Sequence, residues 1–125
     1  MSDATHTPAA SRTIAERWLT AFAARDLDTL LALYADDATH TSPKIRALHP
    51  DTGGMLRGKA ALRAWWRDSF ERLPALRYVP TAITADADRV VFEYVRQVPG
   101  EPDLPVAEVL ELAAGKIVAS RVFHG

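Results

Sequence analysis

Cysteine is absent from the sequence, and that single absence removes disulfides, thiolate nucleophiles and Cys-based zinc sites together. Long apolar runs are missing as well, so no stretch qualifies as a membrane-spanning helix. Charge of one sign is not in excess: 15 Lys and Arg stand against 16 Asp and Glu, a formal net charge of −1. Neither sign gathers into a block that would grip nucleic-acid phosphates or an anionic membrane, so neither is expected as a partner. The sequence also lacks a glycine-rich phosphate cradle, a nucleophile elbow and any paired His-x-x-x-His spacing, so no cofactor and no metal are expected. The opening residues MSDATHTPAA have neither the basic start nor the apolar centre of a secretion signal. Their small polar composition predicts a mobile tail over 1–10 and a cytoplasmic protein.

What is present is an ordinary globular composition, 48% apolar and 25% charged over 125 residues, which suits one domain spanning 11–125. Thr13 and Glu16 have the spacing of a capping box and predict a helix start there. Ile14, Ala15, Trp18, Leu19 and Phe22 then recur at three and four, giving one apolar stripe up to Ala24. Asp26 caps a second, shorter helix with Leu27, Leu30, Leu31 and Tyr34 on one face. A short strand over Ala38–Ser42 is stopped by Pro43. A long loop to Gly58 follows, a candidate rim or lid. From Lys59 a third helix carries Leu62, Trp65, Trp66, Ser69, Phe70 and Leu73 at helical spacing and ends against Pro74.

Four β-rich segments complete the chain: Leu76–Thr84, Arg89–Val98, Val106–Leu112 and Lys116–His124, separated by Asp86-Ala87-Asp88, Pro99-Gly100 and Gly115. Short connections imply an antiparallel meander, and helices followed by strands imply an α+β fold with helices on one sheet face. In the last strand Val118, Ser120, Val122 and His124 alternate with Ile117, Ala119, Arg121 and Phe123, so both faces are largely apolar. Helices cover one face; a second copy of the chain is expected on the other, giving a homodimer through the outer sheet face.

The segment Arg25-Asp26-Leu27-Asp28-Thr29-Leu30-Leu31-Ala32-Leu33-Tyr34-Ala35-Asp36-Asp37-Ala38-Thr39 resembles the signature of the SnoaL-like and ketosteroid-isomerase-like branches of the nuclear transport factor 2-like superfamily. Arg57-Gly58-Lys59, the paired tryptophans, Glu111-Leu112 before Gly115-Lys116-Ile117, and Arg121-Val122-Phe123 extend the likeness over 13–125. The resemblance implies a cone-shaped α+β barrel, three helices on a strongly curved, mainly antiparallel sheet, with a pocket at the open end. This fold hosts isomerases, cyclases, hydrolases, dehydratases and plain binding proteins. Counting along the matching motifs, the isomerases' base carboxylate falls at Ser42, their hydrogen-bonding tyrosine at Trp18 and their protonated carboxylic acid at Glu108. Only the acid is kept, which turns the expectation away from steroid isomerisation by that mechanism.

Alternation places Ala38, His40 and Ser42 on one face, and the match of Ser42 turns that face toward the pocket. His40 is thus a candidate general base; a buried imidazole satisfied by a neighbour is the competing reading. Glu108 shares a face with Leu110 and Leu112, where burial would raise its pKa and make it an acid or oxyanion partner. A structural hydrogen bond inside the cone competes with that role. Ser120 and His124 follow the same phase on the last strand, with His124 at the pocket mouth. Trp18, Phe22, Trp65 and Trp66 are candidates for the wall that binds a small hydrophobic molecule, or for simple core packing. The phase of Glu93 and Tyr94 stays open. His49 and Asp51 lie in the long loop without enough context for a role. The residues favour a cofactor-independent isomerase, cyclase or hydrolase working by acid–base chemistry, with a non-catalytic ligand-binding or interaction domain as the alternative.

Overall fold

The computed structural model describes residues 7–125. Helix α1 (Pro8–Ala23) starts one turn and more before the expected Thr13. Thr7 is its N-cap, with Oγ1 accepting from the Ala10 N–H at 3.1 Å, and Pro8 occupies the first turn, where a missing N–H costs no hydrogen bond. The Thr-Pro pair therefore wins over the Thr13/Glu16 capping box, and Thr13 donates its hydroxyl back to the Ala9 carbonyl inside the helix. Of the tail expected over 1–10, residues 1–6 lie outside the described residues and Pro8–Ala10 are helical. Ala15, Trp18, Ala21 and Phe22 form the buried stripe of α1.

Helix α2 (Leu27–Ala32) is capped as expected by Asp26, which accepts from the Thr29 N–H at 3.1 Å and the Thr29 hydroxyl at 2.6 Å. Strand β1 (Tyr34–Thr41) begins earlier than Ala38. The expected loop is instead ordered: helix α3 (Pro43–Leu48), a 3₁₀ turn (Pro50–Thr52) and strand β2 (Met55–Arg57). Ser42-Pro43 was a legible helix start, with Ser42 Oγ accepting from the Lys44 N–H at 3.1 Å. Gly58, at φ 91°, then turns the chain into helix α4 (Lys59–Arg72); a side chain at that φ would be strained. The described residues thus hold four α-helices where three were expected.

Strands β3 (Arg77–Ala85), β4 (Arg89–Gln97), β5 (Leu104–Ala113) and β6 (Lys116–His124) form the expected meander. The sheet order is β2-β1-β6-β5-β4-β3, antiparallel throughout except for the parallel pair β1·β6. The result is the α+β cone, with the sheet curled round α1 and the core between them. The phase of β6 differs from strict alternation. A register shift opposite Glu111/Leu112 lets both Ile117 and Ser120 point inward, while Val118 is turned out. No described helix is long and apolar enough to cross a membrane.

Candidate functional site

The curled sheet leaves a cavity of about 250 Å³ at the open end of the cone, smaller than the roughly 300–1,000 Å³ of drug-sized ligand sites. His40, Ser42, Glu108 and His124 line it, as do Trp18, Phe22, Trp65 and Trp66. Ser120 stands behind His40, fully buried. The phase left open in β4 resolves with Phe92, Tyr94 and Arg96 inward and Glu93 outward.

His40 sits at the end of a chain of buried hydrogen bonds. The Trp18 indole Nε1–H donates to Tyr34 Oη at 3.0 Å, and Tyr34 donates to Ser120 Oγ at 3.1 Å. Ser120 Oγ in turn lies 2.5 Å from His40 Nδ1. Indole nitrogen only donates, so the one arrangement that leaves no hydroxyl proton without an acceptor runs Trp18, Tyr34, Ser120, His40. That assignment makes Nδ1 an acceptor and puts the imidazole proton on Nε2. Burial pushes the His40 pKa down to about 3. Both features weigh against the general-base role expected of His40: its Nδ1 is already hydrogen-bonded, and burial disfavours protonation of the ring. It is a neutral N–H donor, packed against the Trp66 ring at 5.0 Å.

Glu108 is 1% exposed, and burial pushes its pKa up to about 8 against the opposing effect of the Tyr94 hydroxyl. Tyr94 Oη donates to Oε1 at 3.0 Å, whereas Oε2 is buried without a partner among the described residues. The structural hydrogen bond and the raised pKa are therefore both present in one carboxyl group. The sheet register places Glu108 near His40: His40 pairs with Ser120, Ser120 with Leu110, and Glu108 is the next inward position of β5.

One wall is a column of stacked rings, Phe22 on Tyr78 at 4.1 Å and Tyr78 on Tyr94 at 4.0 Å, with Trp18 5.1 Å from Phe22. Burial and the nearby Glu108 raise the pKa values of Tyr34, Tyr78 and Tyr94, so all three stay protonated donors. Sequence reasoning missed these tyrosines together with Lys44 and Arg96. The signal for Tyr94 and Arg96 was their shared phase with Phe92; for Lys44 it was the Ser-Pro helix start. Ser42 lines the cavity, but its hydroxyl oxygen accepts from the α3 backbone. His49 contacts the Trp65 ring edge on at 6.0 Å and lies outside this cavity. Among the described residues no group of three or more His, Asp or Glu side chains is placed to hold a metal ion.

Residues 15–120 match the family described as the SnoaL-like domain. The chain belongs to that family. A SnoaL-like protein of unknown function from Burkholderia thailandensis E264 superposes on this SnoaL-like domain with a TM-score of 0.86 at 28% identity, over 97% of this chain and 98% of the other. A structure described as a putative ketosteroid isomerase from Kribbella flavida gives 0.78 at 18% identity, over 94% and 79% of the two chains. One described as a putative polyketide cyclase from Sinorhizobium meliloti gives 0.73 at 19%, over 89% and 94%. At those last two identities the likeness is one of fold. No curated protein matches the chain.

Proposed function

We propose that this SnoaL-like domain is a cofactor-independent enzyme of the isomerase, cyclase or hydrolase type, moving a proton on a small hydrophobic carbonyl compound. The observation that carries the reading is the Glu108 carboxyl: buried, with one oxygen fixed by Tyr94 and the other unpartnered among the described residues, in a cavity that also offers a neutral imidazole. A carboxyl with a pKa of about 8 is near-matched to neutral operating pH, as proton transfer in either direction requires. His40 Nε2–H serves as the donor to the substrate oxygen where negative charge develops. The roles expected from sequence are thereby exchanged in part: Glu108 moves the proton and His40 steadies the oxyanion.

The test is exchange of the α-hydrogens of 2-tetralone, a small enolisable ring ketone, followed by proton NMR in D₂O. The wild-type chain should accelerate exchange above buffer, with a rate that rises with pH and levels off above about 8 as Glu108 ionises. Glu108→Gln should return exchange to the buffer rate, and His40→Gln should slow it by about a hundredfold. Exchange that is indifferent to Glu108→Gln sinks the mechanism. The aromatic column suits a flat ligand whether or not chemistry follows, which favours a binding protein as the second reading. Quenching of tryptophan emission by 2-tetralone with exchange at the buffer rate supports that alternative.

A further inference from the structure

The charges around the mouth of the cavity do not cancel. Its lining holds three cationic side chains, Lys44, Arg72 and Arg96, against the carboxylate of Glu101 and the buried Glu108, whose carboxyl is kept protonated by burial up to about pH 8. Arg72 is already answered by Asp68, Nε to Oδ2 at 2.7 Å, on its own helix. Arg96 is paired with Glu101, Nη1 to Oε1 at 2.8 Å. Lys44 has no carboxylate within 4 Å among the described residues and acts on Glu101 only at longer range, so the mouth carries one positive charge in excess.

Arg96 adds to this. It is only 9% exposed, turned inward beside Tyr94, and among the described residues only its Nη1 has a protein partner. Its other N–H donors have no partner shown among the described residues, and the side chain lines the cavity. A guanidinium held this deep, fixed on one side and open on the other, is suited to a planar oxyanion. His124 completes the rim. Burial first, then the positive charges of Lys44 and Arg96, lower its pKa, which marks all three as sharing one electropositive space.

We propose that the mouth is a carboxylate subsite, in which Lys44 and the open side of Arg96 hold the anionic end of a small acid whose ring lies against the Phe22–Tyr78–Tyr94 wall. A net charge of +1 fits a monoanion. A phosphate dianion would meet the Glu101 carboxylate with too little positive charge to offset it. The proposal deepens the reading above and rests on it for taking this cavity as the substrate site, but it is read by binding alone.

The probes are 3-phenylpropanoate and its neutral counterpart 3-phenylpropanamide, titrated against the emission of Trp18, Trp65 and Trp66. The acid should bind about tenfold more tightly than the amide, the scale of one charged hydrogen bond, with the margin shrinking as salt is raised. Lys44→Ala should cut that margin and Lys44→Glu should abolish it. Lys44 is half-exposed on a short rim helix, so neither variant disturbs the core. Equal affinity for acid and amide, binding of neither, or a preference that survives Lys44→Glu overturns the subsite. An intact acid preference with no exchange of 2-tetralone removes the enzyme reading alone; exchange without acid preference removes this one alone.

Discussion

Burial shifts His40 and Glu108 in opposite directions, and the shifts bracket the pH range in which the fold is most stable. The folded chain keeps Glu108 protonated up to about pH 8, whereas the unfolded carboxyl ionises near 4.5. Stability from this group is therefore full below 4.5 and is lost as pH rises toward 8. The folded chain refuses a proton at His40 down to about pH 3, whereas the unfolded imidazole takes one near 6.5. Stability from that group is full above 6.5 and is lost as pH falls toward 3. Between 4.5 and 6.5 the two slopes oppose and cancel, leaving a plateau. Chemical denaturation across pH should show the alkaline loss disappear in Glu108→Gln and the acid loss shrink in His40→Gln. If each variant shifts the curve equally at every pH, neither group titrates as described. Ser120→Ala removes both the acceptor of Tyr34 and the donor to His40, and it should cost about 1–3 kcal/mol in the same assay, the penalty for stranding buried polar groups.

Among the elements, the turn between α1 and α2 depends on one side chain that plays no part in the site. Arg25 adopts a left-handed φ of 55°, a conformation that costs a residue with a Cβ roughly 1–2 kcal/mol. From there its Nη2 donates to the carbonyls of Pro74 and Leu76, each at 2.9 Å, and its guanidinium lies 4.8 Å over the Phe70 ring. These contacts tie the helix turn to the α4–β3 connection. Arg25→Gly relieves the φ but loses the ties, so a net destabilisation of about 1–2 kcal/mol is expected, hydrogen bonds to charged groups outweighing the strain; a more stable Arg25→Gly variant would reverse that ranking. Periodicity was sufficient to read α4 and the presence of four meander strands, and it found α2 but carried it too far, since Tyr34 begins β1 and does not share the α2 face. It was insufficient from Ser42 to Gly58, where α3 buries only Ile45 and β2 has three residues, so no period had room to show. The β6 shift was invisible for another reason: a bulge is set by the partner strand, and alternation read along one strand carries no information about it.

At the scale of the molecule, the family resemblance and the strand phases named His40, Ser42, Glu108 and His124, which line one cavity, whereas Ser120 stands behind His40 and the tyrosines of the aromatic wall were not anticipated. The protonation states, which depend on contacts made across the sheet, had to come from coordinates. The outer face carries Val91, Val95 and Val109 around Phe123, which is 53% exposed, and the Arg121–Glu111 and Arg89–Glu111 ion pairs lie on the same face. The homodimer expected there predicts a light-scattering mass twice the 13.7 kDa of one chain, reduced to a single chain by Phe123→Lys. A wild-type mass of one chain at micromolar concentration ends that expectation. The parallel pairing of β1 with β6 bears also on how the chain is made. His40 meets Ser120 across 80 residues of sequence, and β6 fills the gap between β1 and β5 as the last of the six strands to leave the ribosome. At about 5–20 residues per second, β1 waits roughly 4–16 s for its neighbour, with an open edge throughout. During synthesis the nascent chain thus leaves the facing edges of β1 and β5 unpaired until β6 emerges between them.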